Sequence, residues 1–140
     1  MKNRRLVDED TVQFEVNEKL PHRDEMLLIN GTAYNDKEKF ILSITIPSDS
    51  IFVAPNKIIM PLAMIEMLSQ LCAAQYAFEQ RLNGKRHLLG YLVSIDNVKF
   101  VDSVYAGDKL DLVIRKTLAL ERIRRIKGEI IRGDIIVVQA

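Results

Sequence analysis

From Pro61 to Asn83 the sequence runs without a second proline or any glycine, and its first half, Pro61-Leu62-Ala63-Met64-Ile65-Glu66-Met67-Leu68-Ser69-Gln70, is apolar apart from Glu66, Ser69 and Gln70. Proline suits the first turn of a helix, and nothing interrupts the run before Gly84, so the spacing predicts a helix of about six turns starting at Pro61. Apolar residues fall nearly all round it (Leu62, Met64, Ile65, Leu68, Leu71, Tyr76, Phe78 among them), which means other parts of the protein must wrap it. A carboxylate in that setting has to be paired or used, because an unpaired charge in apolar surroundings costs several kcal/mol or takes up a proton. Glu66 and Gln70, four apart, share a helix face. Two readings of Glu66 are open: a structural polar pair, and an acid or base.

Composition narrows the function classes. With 140 residues and 48% hydrophobic content the chain is expected to be one domain, residues 1–140, with a real core. Twenty basic residues against 19 acidic ones give a formal net charge of +1, no electrostatic case for nucleic acid or an anionic membrane. Cys72 is the only cysteine, so no intrachain disulfide forms, and its place within the apolar helix points to packing. Met1-Lys2-Asn3-Arg4-Arg5 leads into Asp8-Glu9-Asp10 rather than an apolar stretch, so no signal peptide is visible; Glu66, Ser69, Gln70 and Gln75 interrupt Leu62–Phe78 as a membrane span. A soluble cytoplasmic protein is expected. No Cys/His or Glu/His spacing suggests a metal site, no Ser-His-Asp arrangement can be argued, and no glycine-rich phosphate loop exists, so neither metal nor cofactor is expected.

Around the helix the apolar period changes from 3.6 to 2. Lys39–Ile46 alternates and is β-rich before Pro47, with turn-forming Asn35-Asp36-Lys37 ahead of it. Strands are also expected over His87–Ile95, Asn97–Val101, Lys109–Leu118, Arg122–Ile131 and Ile135–Val138, the last two joined by a turn at Arg132-Gly133-Asp134. One long helix before a run of antiparallel strands predicts an α+β domain in which the sheet wraps the helix.

Leu20-Pro21-His22-Arg23 followed by Met26-Leu27-Leu28-Ile29, then Pro55–Pro61, then Glu66 to Gln70, resembles the single-hotdog 3-hydroxyacyl-acyl-carrier-protein dehydratases of fatty acid synthesis. Ser94–Phe100, Val104–Leu110, Ile126-Lys127-Gly128 and Gly133-Asp134 continue the resemblance in order over residues 20–140. It implies a hotdog fold, with a curved antiparallel sheet wrapped around one long central helix. It further implies a homodimer, a heterodimer or a higher oligomer of dimers, with acyl-carrier-protein or coenzyme A thioesters entering between subunits. In such enzymes a histidine in a Gly-His-Phe-Pro-Gly loop removes the α proton, and a carboxylate on the partner's helix protonates the leaving β-hydroxyl. A backbone N–H near the helix start polarises the thioester carbonyl. The resemblance places Glu66 as the helix acid/base and Gln70, Val53, Pro61 and Leu62 at the substrate.

The loop departs from this pattern. Phe52-Val53-Ala54-Pro55-Asn56 aligns with the Gly-His-Phe-Pro-Gly segment, so Val53 replaces the base and neither glycine remains. Glu66 follows Pro61 by five residues where the family uses six, a difference that turns a helical position by roughly 100° unless the loop absorbs it. His22 reads as structural or as part of an entrance, and His87, beside Asn83-Gly84-Lys85-Arg86, as a solvated turn residue. Three functions are consistent with this chain: a 3-hydroxyacyl thioester dehydratase whose base comes from Glu66, a water or a partner subunit; a thioesterase using Glu66; and a non-catalytic acyl- or carrier-binding subunit of a dehydratase complex. The basic cluster Arg115, Lys116, Arg122, Arg124, Arg125 and Lys127 reads either as a dock for an acidic carrier protein or as a solvated strand face.

Overall fold

The computed structural model describes residues 12–15, 26–36, 38–82, 84, 92–120 and 123–140. His22 with its Leu-Pro-His-Arg motif, His87 and Arg122 lie outside them, as does the 87–91 part of an expected strand. The elements run β1 (Val12–Glu15), β2 (Thr32–Asp36), β3 (Lys39–Thr45), α1 (Pro61–Leu82), β4 (Lys99–Phe100), β5 (Lys109–Ala119), β6 (Arg124–Arg132) and β7 (Ile135–Gln139).

The helix starts at Pro61 as expected and spans 22 residues, close to the six turns that the spacing predicts. Proline at its first position gives up an N–H that no intrahelical carbonyl would have accepted. Just beyond its end Gly84 adopts φ 66, a left-handed conformation that glycine enters without a Cβ penalty.

The strands form one antiparallel sheet ordered β1-β2-β3-β5-β6-β7-β4. After β3 the chain crosses over through α1 to the far edge, where β4 pairs with β7, and β5 then returns beside β3. Two inward rows follow from the register, Phe40–Ile114–Gly128 and Leu42–Leu112–Ile130–Val138. Their apolar side chains are fully buried and pack with Met64, Leu68 and Leu71 of the helix in one core. Each such side chain stabilises the fold by roughly 1.5–3 kcal/mol relative to exposure. Gly128 allows the helix to lie close to β6, since a Cβ there would stand 3.0 Å from Leu68 Cδ1. A curved sheet around one long central helix is the hotdog architecture that the resemblance implied.

Three sequence expectations change. Thr32–Asp36 is a strand, and the chain turns after Asp36, so Asn35 and Asp36 end β2 rather than forming the turn. Residues 92–96 carry no strand, and the strand expected over Asn97–Val101 contracts to Lys99–Phe100. Asn97 adopts φ 55, which breaks the extended backbone just before β4.

Candidate functional site

The segment before the helix folds back on itself. Val53 pairs with Ile59 in an antiparallel bridge, the Ala54 N–H donates to Ile58 O at 2.8 Å, and the Met60 N–H donates to Phe52 O at 2.9 Å. Lys57 turns this hairpin with φ 72, a conformation uncommon for a side-chain-bearing residue. It is held there on both sides, donating to Ala54 O and accepting from the Ala106 N–H, each at 2.9 Å. The left-handed residue is thus the one after Asn56, which aligns with the second glycine of the dehydratase loop. Val53 is half-buried against the core and carries no proton acceptor.

The segment 102–108 braces this hairpin, with Val104 O accepting from the Ile59 N–H at 2.9 Å. Arg132 on β6 holds that segment by three contacts: Asp102 Oδ2 at 2.6 Å, Asp108 Oδ2 at 3.1 Å and Ser103 O at 2.7 Å. The Asp108 hydrogen bond, assisted by Asp102, keeps the guanidinium above its already high pKa and so permanently charged. Sequence reading missed this brace, whose partners lie 24 to 30 residues apart.

α1 begins at Pro61 itself, with the Ala63 N–H donating to Met60 O at 3.0 Å, so no loop residue separates the proline from the turns that carry Glu66. Gln70, only 1% exposed, makes three hydrogen bonds. Its Oε1 accepts from the Leu28 N–H at 3.0 Å, and its Nε2 donates to Met26 O at 2.7 Å and to Glu66 Oε1 at 3.1 Å. Gln70 therefore straps the 26–28 segment to the helix and fixes one oxygen of Glu66. Glu66 is half-buried.

Leu62, one turn before Glu66 on the same face, is 72% exposed. An open groove of about 280 Å³ lies between the helix start and Phe100–Val104, lined by Pro61 and Met64. Glu66 follows these by five and two residues, which places it about 140° and 160° round the helix from them. The expected site residues thus fall into two groups. Glu66, Gln70 and Leu62 share one side of the helix; Pro61 borders the groove on another, and Val53 sits in the hairpin leading to it.

The basic cluster also divides. Glu79 of the helix pairs with Lys116 at 3.2 Å and with Arg124, whose guanidinium lies 4.6 Å from the centre of the Tyr76 ring. These two cations clamp the β5–β6 hairpin to the helix. Arg115, Arg125 and Lys127 occupy the opposite face by strand alternation. Cys72 packs against the core, and burial pushes its thiol up to about 12.

The family described as ApeP-like, ApeP dehydratase, matches residues 14–140. The chain belongs to this family. It is 30% identical over 121 residues to the 3-hydroxyacyl-acyl-carrier-protein dehydratase FabZ of Legionella pneumophila, covering 82% of this chain and 80% of that protein. The FabZ of Alkalilimnicola ehrlichii is 34% identical over 113 residues, 76% of this chain and 69% of the relative. Among solved structures, the dehydratase heterocomplex ApeI:P from Xenorhabdus doucetiae superposes with a TM-score of 0.74 at 19% identity, covering 90% of this chain and 86% of that one, and so shares the fold. An uncharacterised protein from Pyrococcus horikoshii superposes less closely, with a TM-score of 0.54 at 14% identity over 74% of this chain and 72% of the other. The dehydratase ancestry expected from the motifs is thereby established. Among the described residues no helix is long and apolar enough to cross a membrane.

Proposed function

We propose that this ApeP-like chain is the acid-bearing subunit of a dehydratase that acts on 3-hydroxyacyl thioesters in fatty acid or related acyl-chain biosynthesis. The observation that carries the proposal is the hydrogen bond from Gln70 Nε2 to Glu66 Oε1, made by a glutamine whose remaining groups are held by Met26 and Leu28. That bond orients the Glu66 carboxyl group on the helix, and Glu66 is the acid of the reaction. The base on the partner subunit removes a proton from Cα, the electron pair forms the Cα–Cβ double bond, and the Cβ–O bond breaks. The Glu66 proton goes to the departing hydroxyl, giving water and an enoyl thioester. The base then gives up its proton to solvent and solvent reprotonates the carboxylate.

The base comes from a partner because Phe52-Val53-Ala54-Pro55-Asn56 contains no titratable side chain. The structurally similar ApeI:P is a dehydratase heterocomplex, which supports a second, different subunit here. The edge of this sheet supports it as well. β4 pairs only with β7 among the described residues, and Leu92, Val93, Ile95, Phe100 and Val101 around it are exposed, Val93 by 86%. Joining that edge to a second sheet would cover these side chains and bring the partner's loop toward the helix.

Mass spectrometry tests the reading. The purified protein, alone and with a histidine-bearing homologous subunit, is incubated with 3-hydroxyacyl and saturated acyl thioesters on carrier protein and on coenzyme A. The expected result is loss of water from the hydroxyacyl form in the mixed sample. Release of free acid would establish a thioesterase instead, and unchanged substrates in both samples would leave a binding subunit.

A further inference from the structure

After β4 the chain crosses from the open edge of the sheet to the hairpin that leads into the helix. At the edge Phe100 pairs with Val138, and the Val101 N–H donates to Val137 O at 2.8 Å. At the hairpin Val104 O accepts from the Ile59 N–H, and the Ala106 N–H donates to Lys57 O, each at 2.9 Å. Asp102 and Ser103 lie between these two anchored parts. Among the described residues, only Arg132 joins them to another element by a hydrogen bond or ion pair. Their remaining bond, from the Ser103 N–H to Asp102 Oδ1 at 2.8 Å, closes within the pair.

The guanidinium reaches both ends of the gap at once. Arg132 is the last residue of β6, and the tight turn through Gly133, with φ 62, pairs it with Ile135. Its Nη2 donates to Asp102 Oδ2 at the edge end, while its Nη1 donates to Ser103 O and to Asp108 Oδ2. The same Asp108 oxygen accepts from the Tyr105 N–H at 2.9 Å, so the turn 105–108 and the end of the edge are locked to one planar group. A lysine could hold one of these carboxylates but lacks the rigid fork that spans the set. Stability explains the brace poorly. The Asp102 side chain is 52% exposed, and ion pairs at such sites contribute little to folding.

The brace joins two parts whose separation matters if the chain works as proposed. A partner joining at β4 brings the base, whereas the acid, Glu66, is carried by α1, which begins directly after the hairpin that Val104 holds. Asp102–Val104 also form one wall of the groove, opposite Ile59, Pro61 and Met64. From these contacts we infer that Arg132 is a positioning residue of the dehydration: by locking Asp102, Ser103 and Asp108 it sets how far the β4 edge, and with it the partner's base, stands from Glu66. The inference rests on the dehydratase reading above; that Arg132 holds the 102–108 segment does not. A misplacement of about 1 Å can cost on the order of 10²-fold in rate. Loss of the grip therefore lowers kcat more than it raises KM, since the groups that bind the thioester stay in place.

Steady-state kinetics of the mixed assembly on a 3-hydroxyacyl coenzyme A thioester, combined with hydrogen–deuterium exchange of the same samples, test the inference. Arg132→Met keeps the aliphatic stem and removes all three contacts. Its kcat is expected to fall about 10- to 100-fold with KM within about threefold of the parent's. The Ile59 and Ala106 amides, whose bonds join the segment to the hairpin, are expected to exchange faster. Arg132→Lys is expected to restore part of the lost kcat. Asp102→Asn, a milder change at the edge end alone, is expected to lower kcat at least about threefold and to add nothing to Arg132→Met in the double variant. It also serves as the test if Arg132→Met does not assemble. Arg125→Met, which removes an exposed cation elsewhere on β6, is expected to keep the parent's kcat. Rates are referred to protein shown to be folded and assembled by circular dichroism and size-exclusion chromatography. An unchanged kcat in Arg132→Met and Asp102→Asn overturns the inference even if exchange is faster, because Arg132 is then a structural tie only; unchanged exchange in Arg132→Met overturns it as well. Absence of dehydration by the parent assembly would remove the dehydratase reading and the inferred role with it, while the exchange comparison would still decide whether Arg132 holds the segment.

Discussion

Val53 faces Ile59 across an antiparallel bridge, so the side chain aligned with the histidine of related dehydratases is held in a hairpin that leads directly into the helix. That geometry makes Val53→His a direct test of what the loop has lost. In the protein without a partner, the variant is expected to raise 3-hydroxyacyl thioester dehydration by about 10²-fold, the lower end of what a general base contributes. Activity no higher than the parent's would mean that the loop backbone, and not only the missing imidazole, has departed from the catalytic form.

Gln70 ties residues 26–28 to the helix with groups that Gln70→Leu would remove. The Leu28 N–H and Met26 O would lose their partners in a part-buried place, at a cost of about 2–4 kcal/mol in all. Urea denaturation should show a lower midpoint with little change in slope. A midpoint within error of the parent's would show that the strap contributes nothing to stability.

Cys72 reports on the packing of the helix. With the thiol of this half-buried residue pushed up from its ordinary 9.0 to about 12, its thiolate fraction at pH 8 is well below that of an ordinary thiol. Alkylation by iodoacetamide at pH 8 is expected to be slow in the native protein and fast in urea. Because the folded state holds this proton more tightly, the contribution of Cys72 to stability is complete below pH 9 and falls away as pH rises from 9 toward 12. Equal labelling rates in the two states would show that the thiol is not enclosed.

The helix was legible because one local signal repeated: a proline, then uninterrupted apolar positions up to Gly84. β3, β5, β6 and β7 were legible through alternation and the Gly133-Asp134 turn. β2 was hidden because Asn35 and Asp36, turn-formers by propensity, are carried by pairing with Phe40 and Lys39. Leu92–Ile95 showed the opposite failure, an apolar stretch that forms no ladder. At the site, the Glu66–Gln70 pair follows from helical spacing. The strap to Met26 and Leu28 spans 42 to 44 residues and leaves no local trace. Nor could the basic cluster be sorted in advance. Only the register of β5 against β6 separates Arg124, clamped to Glu79, from Arg125 on the other face.

The most direct test of the account is the turnover of Glu66→Gln in the mixed assembly with a histidine-bearing subunit, measured as loss of water from a 3-hydroxyacyl thioester. Amide and acid are alike in shape, but only the acid gives up a proton, so dehydration should fall by at least about 10²-fold while the assembly stays intact by size-exclusion chromatography. Undiminished dehydration by the folded variant would contradict the account and leave Glu66 as a structural partner of Gln70.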